Sequence, residues 1–423
     1  MKNRILRLSK LAAKFATGQV VLQLFQAANG LVFVWLLSIQ DFAVYAVFTG
    51  AMGFASQLAG FGIAPSIVSL VGMGMADTKK VGRYIAAGLR LRWILLLWIL
   101  PIGTLLLWIA SEKADISPLL FVAAAVCLAA CGYFTAQSDL FGLPLKMLDR
   151  LGTIYRISIQ SEMIRLSLVL IAWSFGWLNV LSAVIISTLG LVYSFIGLKR
   201  ASARHISFPK EPVEREAGEI LKIFLPKLPN AIFGAFQGQI TIVISAVFGG
   251  VSQIASIGAL GRLSRFLGFL TAANPMLVGP AISRMSDSSF WRRVPWMLGS
   301  GAMLGIAIAC TGFLRPEWLL LILGANYSGL GPVVWIVTLT AGLSFFVQLV
   351  NTVISYKRWA AWWASFGTIG IVVLFQIIVV WNFDVTSTAG VLLLGLAAVS
   401  ARSVSLLLVI VAARFRPSWL ITT

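Results

Sequence analysis

Apolar residues run along this chain in long blocks, not in the period-two alternation of a half-buried strand. A helix crossing a bilayer needs about 20 mostly apolar residues to span roughly 30 Å of hydrocarbon. Blocks of that kind recur about twelve times, at 18–39, 42–74, 84–110, 118–140, 153–175, 178–198, 221–248, 252–282, 292–313, 328–355, 359–382 and 386–413. Several carry proline (Pro65, Pro101, Pro226, Pro229, Pro275, Pro280), tolerated where neighbouring helices or water satisfy the freed backbone groups. The blocks at 42–74 and 252–282 are long enough to tilt, bend or protrude. The pattern predicts an all-α polytopic membrane protein.

Two polar stretches organise the blocks. In 1–17, Ile5, Leu8, Leu11 and Phe15 recur at helical spacing with Lys2, Arg4, Arg7, Lys10 and Lys14 between them. That is the signature of a basic amphipathic helix on an anionic leaflet. A signal-peptide n-region is the competing reading, but the apolar run that follows is long enough to span and lacks a small-residue cleavage site. The longest polar stretch, KRASARHISFPKEPVEREAGEI at 199–220, lies between the sixth and seventh blocks. The expected organisation is an amphipathic segment at 1–17, a six-helix half at 18–198, a cytoplasmic linker at 199–220 and a second six-helix half at 221–423. A weak internal echo, Gln40–Phe54 over Ser252–Phe266, suits two parallel halves with a substrate site at mid-depth.

Composition narrows the class. The chain has 423 residues, 59% hydrophobic and 11% charged, with mean hydropathy +0.94, whereas soluble domains carry about 25% charged residues. This excludes a soluble enzyme and a nucleic-acid partner, despite a pI near 10.5. Lys+Arg number 33 against 14 Asp+Glu, a net charge of +19. With twelve spans and the N-terminus inside, 27 of the 33 basic residues fall on one side and only Lys113 and Arg315 on the other. The positive-inside rule then places both termini in the cytoplasm. Tryptophans near block ends (Trp35, Trp108, Trp177, Trp359, Trp381) suit interfacial belts.

With the basic residues near block ends counted to the cytoplasmic segments (Arg90 and Arg92 in 79–92 among them), what remains inside the blocks is the candidate chemistry: Arg165, Arg262, Arg265 and Arg402, with Asp139 and Glu162. A charge at the bilayer centre costs at least about 2.5–3.5 kcal/mol on insertion scales. Arg262 and Arg265 lie 11 and 14 residues into the eighth block, and their i, i+3 spacing puts both on one helix face. Paired guanidinium forks there match a pyrophosphate; an interhelical ion pair is the alternative. Glu162 and Arg165 read either as an intrahelical ion pair or as a site coupling transport to a proton or sodium gradient. Arg402 is read as structural, with its long side chain snorkelling from the inner half of the last block, and Asp139 as interfacial.

Amide and hydroxyl side chains form stripes on the first and second blocks of each half. Gln19, Gln23, Gln26 and Asn29 mark the first, Ser56 and Gln57 the second, and Asn230, Gln237, Thr241 and Ser245 the seventh. Of these, Gln23, Gln26, Asn29, Gln57, Asn230 and Gln237 are candidate sugar-binding residues, because amides both donate and accept. The alternative is that they bond helix to helix. Cys127, Cys131 and Cys310 all fall in apolar runs; Cys127 and Cys131, four apart on a helix, read as buried small residues, and His205 is the only histidine. No metal site and no histidine-based catalysis is expected, and no Walker motif is present.

Three stretches carry a family resemblance. LLSIQDFAVYAVFTGAMGFASQLAGFGIAPSIVSLV (36–71) resembles the second-span entry of polysaccharide flippases, FLPKLPNAIFGAFQGQITIVISAVFGG (224–250) is similar to their seventh span, and LRPEWLLLILGANYSGLGPVVWIV (314–337) resembles the loop before their tenth. These are the O-antigen and exopolysaccharide translocases of the MOP exporter superfamily, relatives of the MATE transporters. The resemblance implies two six-helix bundles related by a pseudo-twofold axis, a V-shaped and often cationic cavity, and alternating access. It also implies export of undecaprenyl-pyrophosphate-linked oligosaccharide across a bacterial inner membrane, with no catalytic residue and no cofactor, alongside the polymerase and glycosyltransferases of one pathway. Arg262 and Arg265 fit that cationic pattern, while the first span departs from it by carrying glutamines and no arginine. A multidrug or cation antiporter of the same superfamily is the alternative, followed by a membrane-embedded polymerase or ligase.

Overall fold

The computed structural model describes residues 2–60, 63–71, 77–113, 115, 117–148, 150–208, 213–225, 228–267, 271, 282, 285, 287–357 and 362–415. The helices are α1 (Lys2–Leu36), α2 (Ile39–Gly60), α3 (Ile63–Val71), α4 (Thr78–Lys113), α5 (Pro118–Met147), α6 (Leu151–Ser174), α7 (Val180–Ala203) and α8 (Glu214–Phe224), then α9 (Leu228–Phe248), α10 (Val251–Leu267), α11 (Asp287–Leu314), α12 (Pro316–Leu323), α13 (Gly331–Tyr356), α14 (Trp362–Asn382) and α15 (Thr388–Phe415). No strand occurs among the described residues, and nine of their helical stretches are long and apolar enough to cross a membrane. The chain is a multi-pass, all-helical membrane protein.

The helices follow the apolar blocks, with instructive differences. The 1–17 segment and the first block form one continuous helix. At about 1.5 Å per residue its 35 residues exceed the hydrocarbon thickness, so the basic end lies outside the apolar slab. The 42–74 block is two helices, α2 and α3, and the 221–248 block begins with the last turns of α8. The linker is therefore partly helical.

Packing divides the chain into two compact units, residues 36–255 and residues 1–35 with 256–423. This division follows contacts and falls elsewhere than the 199–220 stretch.

In the 36–255 unit, α2, α4, α5 and α7 pack consecutively, α6 lies on α7, and α9 packs against α2. Glycines set the last approach: a Cβ at Gly50 would lie 2.8 Å from Ile242, and one at Gly53 2.9 Å from the Gln239 amide. At the far end of α4, the Lys113 ammonium donates to the Val247 and Gly249 carbonyls at 2.8 and 2.7 Å. A cation there satisfies the carbonyls that end α9 and opposes its dipole. The linker is fastened to the other end of α4. Ile206 is buried with Val81 and Ile85, and a side chain at Gly82 would collide with the Ser207 carbonyl. Helix α8 buries Ile220 against Tyr84, Ala87 and Leu91 and turns its acidic face to α4. There Arg83 Nε donates to Glu216 at 2.6 Å, Arg90 pairs with Glu214 at 3.6 Å and Tyr84 donates to Glu219.

In the other unit, α13 packs against both α11 and α15, and α14 lies on α15. Gly305 and Gly342 face one another so closely that a Cβ on Gly342 would enter the Gly305 carbonyl. Small residues let membrane helices touch backbone to backbone, where no hydrophobic force drives them together. Phe290 and Val294 of α11, Val350 and Val353 of α13, and Val409 and Ile410 of α15 form its core. The short helix α12 is tied to α1 by the Trp35 indole, which donates to the Ile322 carbonyl at 2.7 Å. Gly324, at φ 91°, turns the chain out of α12 in a conformation that suits glycine.

Two outcomes follow. Gly342→Val should separate α11 from α13 and lower the melting temperature of the detergent-purified protein, at a cost of about 1–3 kcal/mol or more, where Gly299→Ala, which meets open space, should be silent. The Tyr84 hydroxyl, followed by Arg215, holds the Glu219 carboxyl below the usual glutamate range. Its contribution to α8 docking is then complete at neutral pH and lost as pH falls through that depressed value. Hydrogen exchange of 214–224, corrected for intrinsic rates, should rise at acid pH, and Glu219→Gln should show the same rise at pH 7.

Candidate functional site

Arg262 is the twelfth residue of α10, roughly 16 Å along it at 1.5 Å per residue, and so near mid-depth. Its aliphatic stem lies across α1 at Gly30, where a Cβ would stand 3.1 Å from Arg262 Cδ. Gly30 continues the row of Gln23 and Gln26 at i, i+3 and i+7, one face of α1. Asn29, beside it, is fully buried, Gln23 is half-buried and Gln26 is exposed. The structure thus brings Arg262 onto the amide stripe of α1, which the sequence placed in different halves of the chain. Glycine at 30 is what lets the arginine cross there.

The remaining candidates divide. Arg265 follows on α10, but its side chain, like those of Gln57 and Asn230, lies outside the described residues. Gln237 is half-buried on α9. Glu162 and Arg165 form an ion pair at 3.5 Å on α6, the intrahelical arrangement expected of an i, i+3 pair. Arg165 also donates to the Tyr45 hydroxyl of α2 at 2.8 Å, and Tyr45 meets Ser187 of α7 at 3.1 Å. The pair is therefore the centre of a three-helix polar node. Cys131 contacts Thr188 at 3.1 Å, and no metal-ligand cluster occurs among the described residues.

One charged residue escaped the sequence reading. Arg92, counted with the cytoplasmic basic segment, sits inside α4 with a fully buried side chain. It pairs with Asp139 at 3.0 Å and donates to the Ala136 carbonyl, while Lys146 reaches Asp139 at 3.1 Å. The Asp139 side chain is itself 46% exposed, so it meets the buried Arg92 from the polar edge of the packing. The signal was present: the 84–110 block already encloses Arg92, flanked by Leu91 and by the apolar run from Trp93 to Leu100.

No family model and no curated protein sequence matches the chain. Solved structures do. The MATE multidrug transporter DinF-BH, in a ligand complex, superposes with TM-score 0.65 at 16% identity, covering 98% of this chain and 96% of that one. An outward-facing multidrug resistance MATE transporter of the MOP superfamily gives 0.63 at 16%, covering 98% and 96%. An inward-facing one gives 0.62 at 15%, covering 97% and 98%. The chain has the MATE transporter fold, with about twelve membrane-crossing helices, and these neighbours are transporters caught in both states of an alternating-access cycle.

Removing Asp139 should leave the Arg92 guanidinium uncompensated. Because the carboxylate is partly exposed and screened, Asp139→Ala is expected to cost about 1–3 kcal/mol, read as a fall in melting temperature. Arg92→Met with Asp139→Leu should recover most of the loss, a coupling that a double-mutant cycle measures.

Proposed function

We propose that this chain is a flippase that carries an undecaprenyl-pyrophosphate-linked oligosaccharide from the cytoplasmic to the periplasmic leaflet of a bacterial inner membrane, for O-antigen or exopolysaccharide assembly. Support comes first from one observation: Arg262 crosses the α1 amide stripe in a unit whose membrane-crossing segments contain no carboxylate. Asp287, Glu317 and Asp384 are the only acidic residues in 1–35 and 256–423, and they lie at the start of α11, in the first turn of α12 and in the turn before α15. A guanidinium fork beside amides matches a phosphate attached to sugars: the fork takes two phosphate oxygens, and the amides take hydroxyls as donors and acceptors. In this reading Arg262 and Arg265 hold the pyrophosphate, and Gln23, Gln26, Asn29, Gln57, Asn230 and Gln237 serve the sugars. The lipid tail stays in the bilayer while the protein rocks between inward- and outward-facing states. Both termini face the cytoplasm, and the enzymes that build and polymerise the oligosaccharide act on either side of this step.

The fold neighbours also support export of cationic drugs, which requires membrane carboxylates to receive the cation. Asp139 and Glu162, the two such carboxylates among the described residues, are both engaged by arginine, which favours the anionic cargo. The Glu162–Arg165–Tyr45 node is assigned to gradient coupling, because a proton or sodium ion arriving at Glu162 would compete with Arg165 and loosen α6 from α2.

The decisive experiment is surface polysaccharide export in cells carrying Arg262→Ala and Arg265→Ala. Export should fall at least tenfold at normal protein level; unchanged export would sink the phosphate site. Gly30→Val, which displaces Arg262 without removing charge, should lower export similarly, and Gly30→Ala should have a milder effect.

A further inference from the structure

Arg402 lies too far from both ends of its helix for a snorkelling stem to reach them. It is the fifteenth of the 28 residues of α15, about 20 Å from either helix end at 1.5 Å per residue. The hydrocarbon half-thickness of roughly 15 Å is more than a three-methylene stem can bridge. Nor does it face lipid. On the helix surface Arg402 lies between the rows of Ser405 and Leu406, at i+3 and i+4. Ser405 is buried and its hydroxyl meets that of Thr368 on α14 at 2.5 Å. Leu406 packs on the core shared by α11, α13 and α15. The side chain is itself half-buried, on the side of α15 that joins α13 and α14.

Arg402 makes no ion pair or hydrogen bond among the described residues. The other unit treats its membrane arginines differently: Arg92 has Asp139, and Arg165 has Glu162 and Tyr45. No carboxylate in the membrane-crossing segments of its own unit is available to Arg402. A guanidinium held at mid-depth without a counter-charge needs an anion or water supplied from outside the protein. The hydroxyl pair of Ser405 and Thr368, one turn along the same face, adds donors for oxyanion oxygens.

We propose that Arg402 is a second anion-binding residue that takes the pyrophosphate group of the transported solute within the α13–α15 bundle. This rests on the reading of the cargo as pyrophosphate-linked, and it adds a contact that neither the amide stripe nor the Arg262–Arg265 pair supplies. Two stations let the anion leave one guanidinium as it meets the next, so that it is never stranded in hydrocarbon.

The test uses the full chain in detergent with inorganic pyrophosphate as the probe, at constant ionic strength set with chloride. Titration calorimetry should show pyrophosphate binding to the wild type. Arg402→Gln should weaken it at least tenfold, and Arg402→Lys, which keeps the charge but loses the fork, should weaken it less. In parallel, phenylglyoxal labelling of wild-type Arg402, read by peptide mass spectrometry, should be suppressed by pyrophosphate; this arm needs no variant to fold. Arg402→Gln binding like the wild type while Arg262→Gln loses affinity would overturn the role of Arg402 and leave the proposed cargo standing. No binding by the wild type would overturn both. Protection of Arg402 in vesicles containing phosphatidylglycerol, with none from pyrophosphate, would assign the residue to a lipid headgroup and overturn the proposal.

Discussion

An ion inside hydrocarbon has no solvent to fall back on, and that constraint governs how this protein distributes its charge. Eleven of the 14 acidic residues fall in 36–255. In that unit the membrane arginines are matched: Arg92 by Asp139 and Arg165 by Glu162 and Tyr45. The segments 1–35 and 256–423 hold the other three, all at helix ends, yet carry Arg262, Arg265 and Arg402 within apolar blocks. One unit uses charge to bind itself together. The other holds its three carboxylates at helix ends, so among its described residues Arg402 has no carboxylate to pair with at its depth.

The same scarcity of solvent shapes the packing. Lipid tails are as apolar as leucine, so helices gain little by burying apolar faces against one another, and close approach must supply the attraction. Gly50 and Gly53 admit α9 to α2, and Gly305 and Gly342 bring α11 and α13 into backbone contact. Where a helix ends, its free carbonyls still need donors, and Lys113 meets two of them. That use accounts for one of the few basic residues on the side of the membrane that charge counting leaves nearly bare. At the polar surface ordinary rules return: α8 holds to α4 through an apolar stripe flanked by ion pairs, as it would in a soluble protein.

Helices were legible in the sequence because hydrocarbon thickness fixes their length. The blocks at 118–140 and 292–313 lie within α5 and α11, which run on by a few residues, and the 386–413 block matches α15 to within two residues at each end. The Glu162–Arg165 pair was legible too, since i, i+3 spacing places partners on one helix. What periodicity cannot carry is the partner on another helix. Tyr45 for Arg165, Asp139 for Arg92 and Gly30 for Arg262 are all more than 40 residues away in sequence, and only packing selects them. Arg402 shows the converse limit. Its depth could be counted from the sequence, but its want of a partner becomes visible only when its neighbours are in place.

One unit is discontinuous: α1 belongs with helices made after residue 255. Gly30 can meet Arg262 only when more than two hundred further residues have left the ribosome, on the order of ten to fifty seconds of synthesis at about 5–20 residues per second. Through that interval α1 must persist in the bilayer with Gln23, Gln26 and Asn29 unserved by their eventual neighbour. A more polar stripe would risk losing the helix from the membrane before its partner existed, so the chemistry available to the first helix is bounded by the order in which the chain is made.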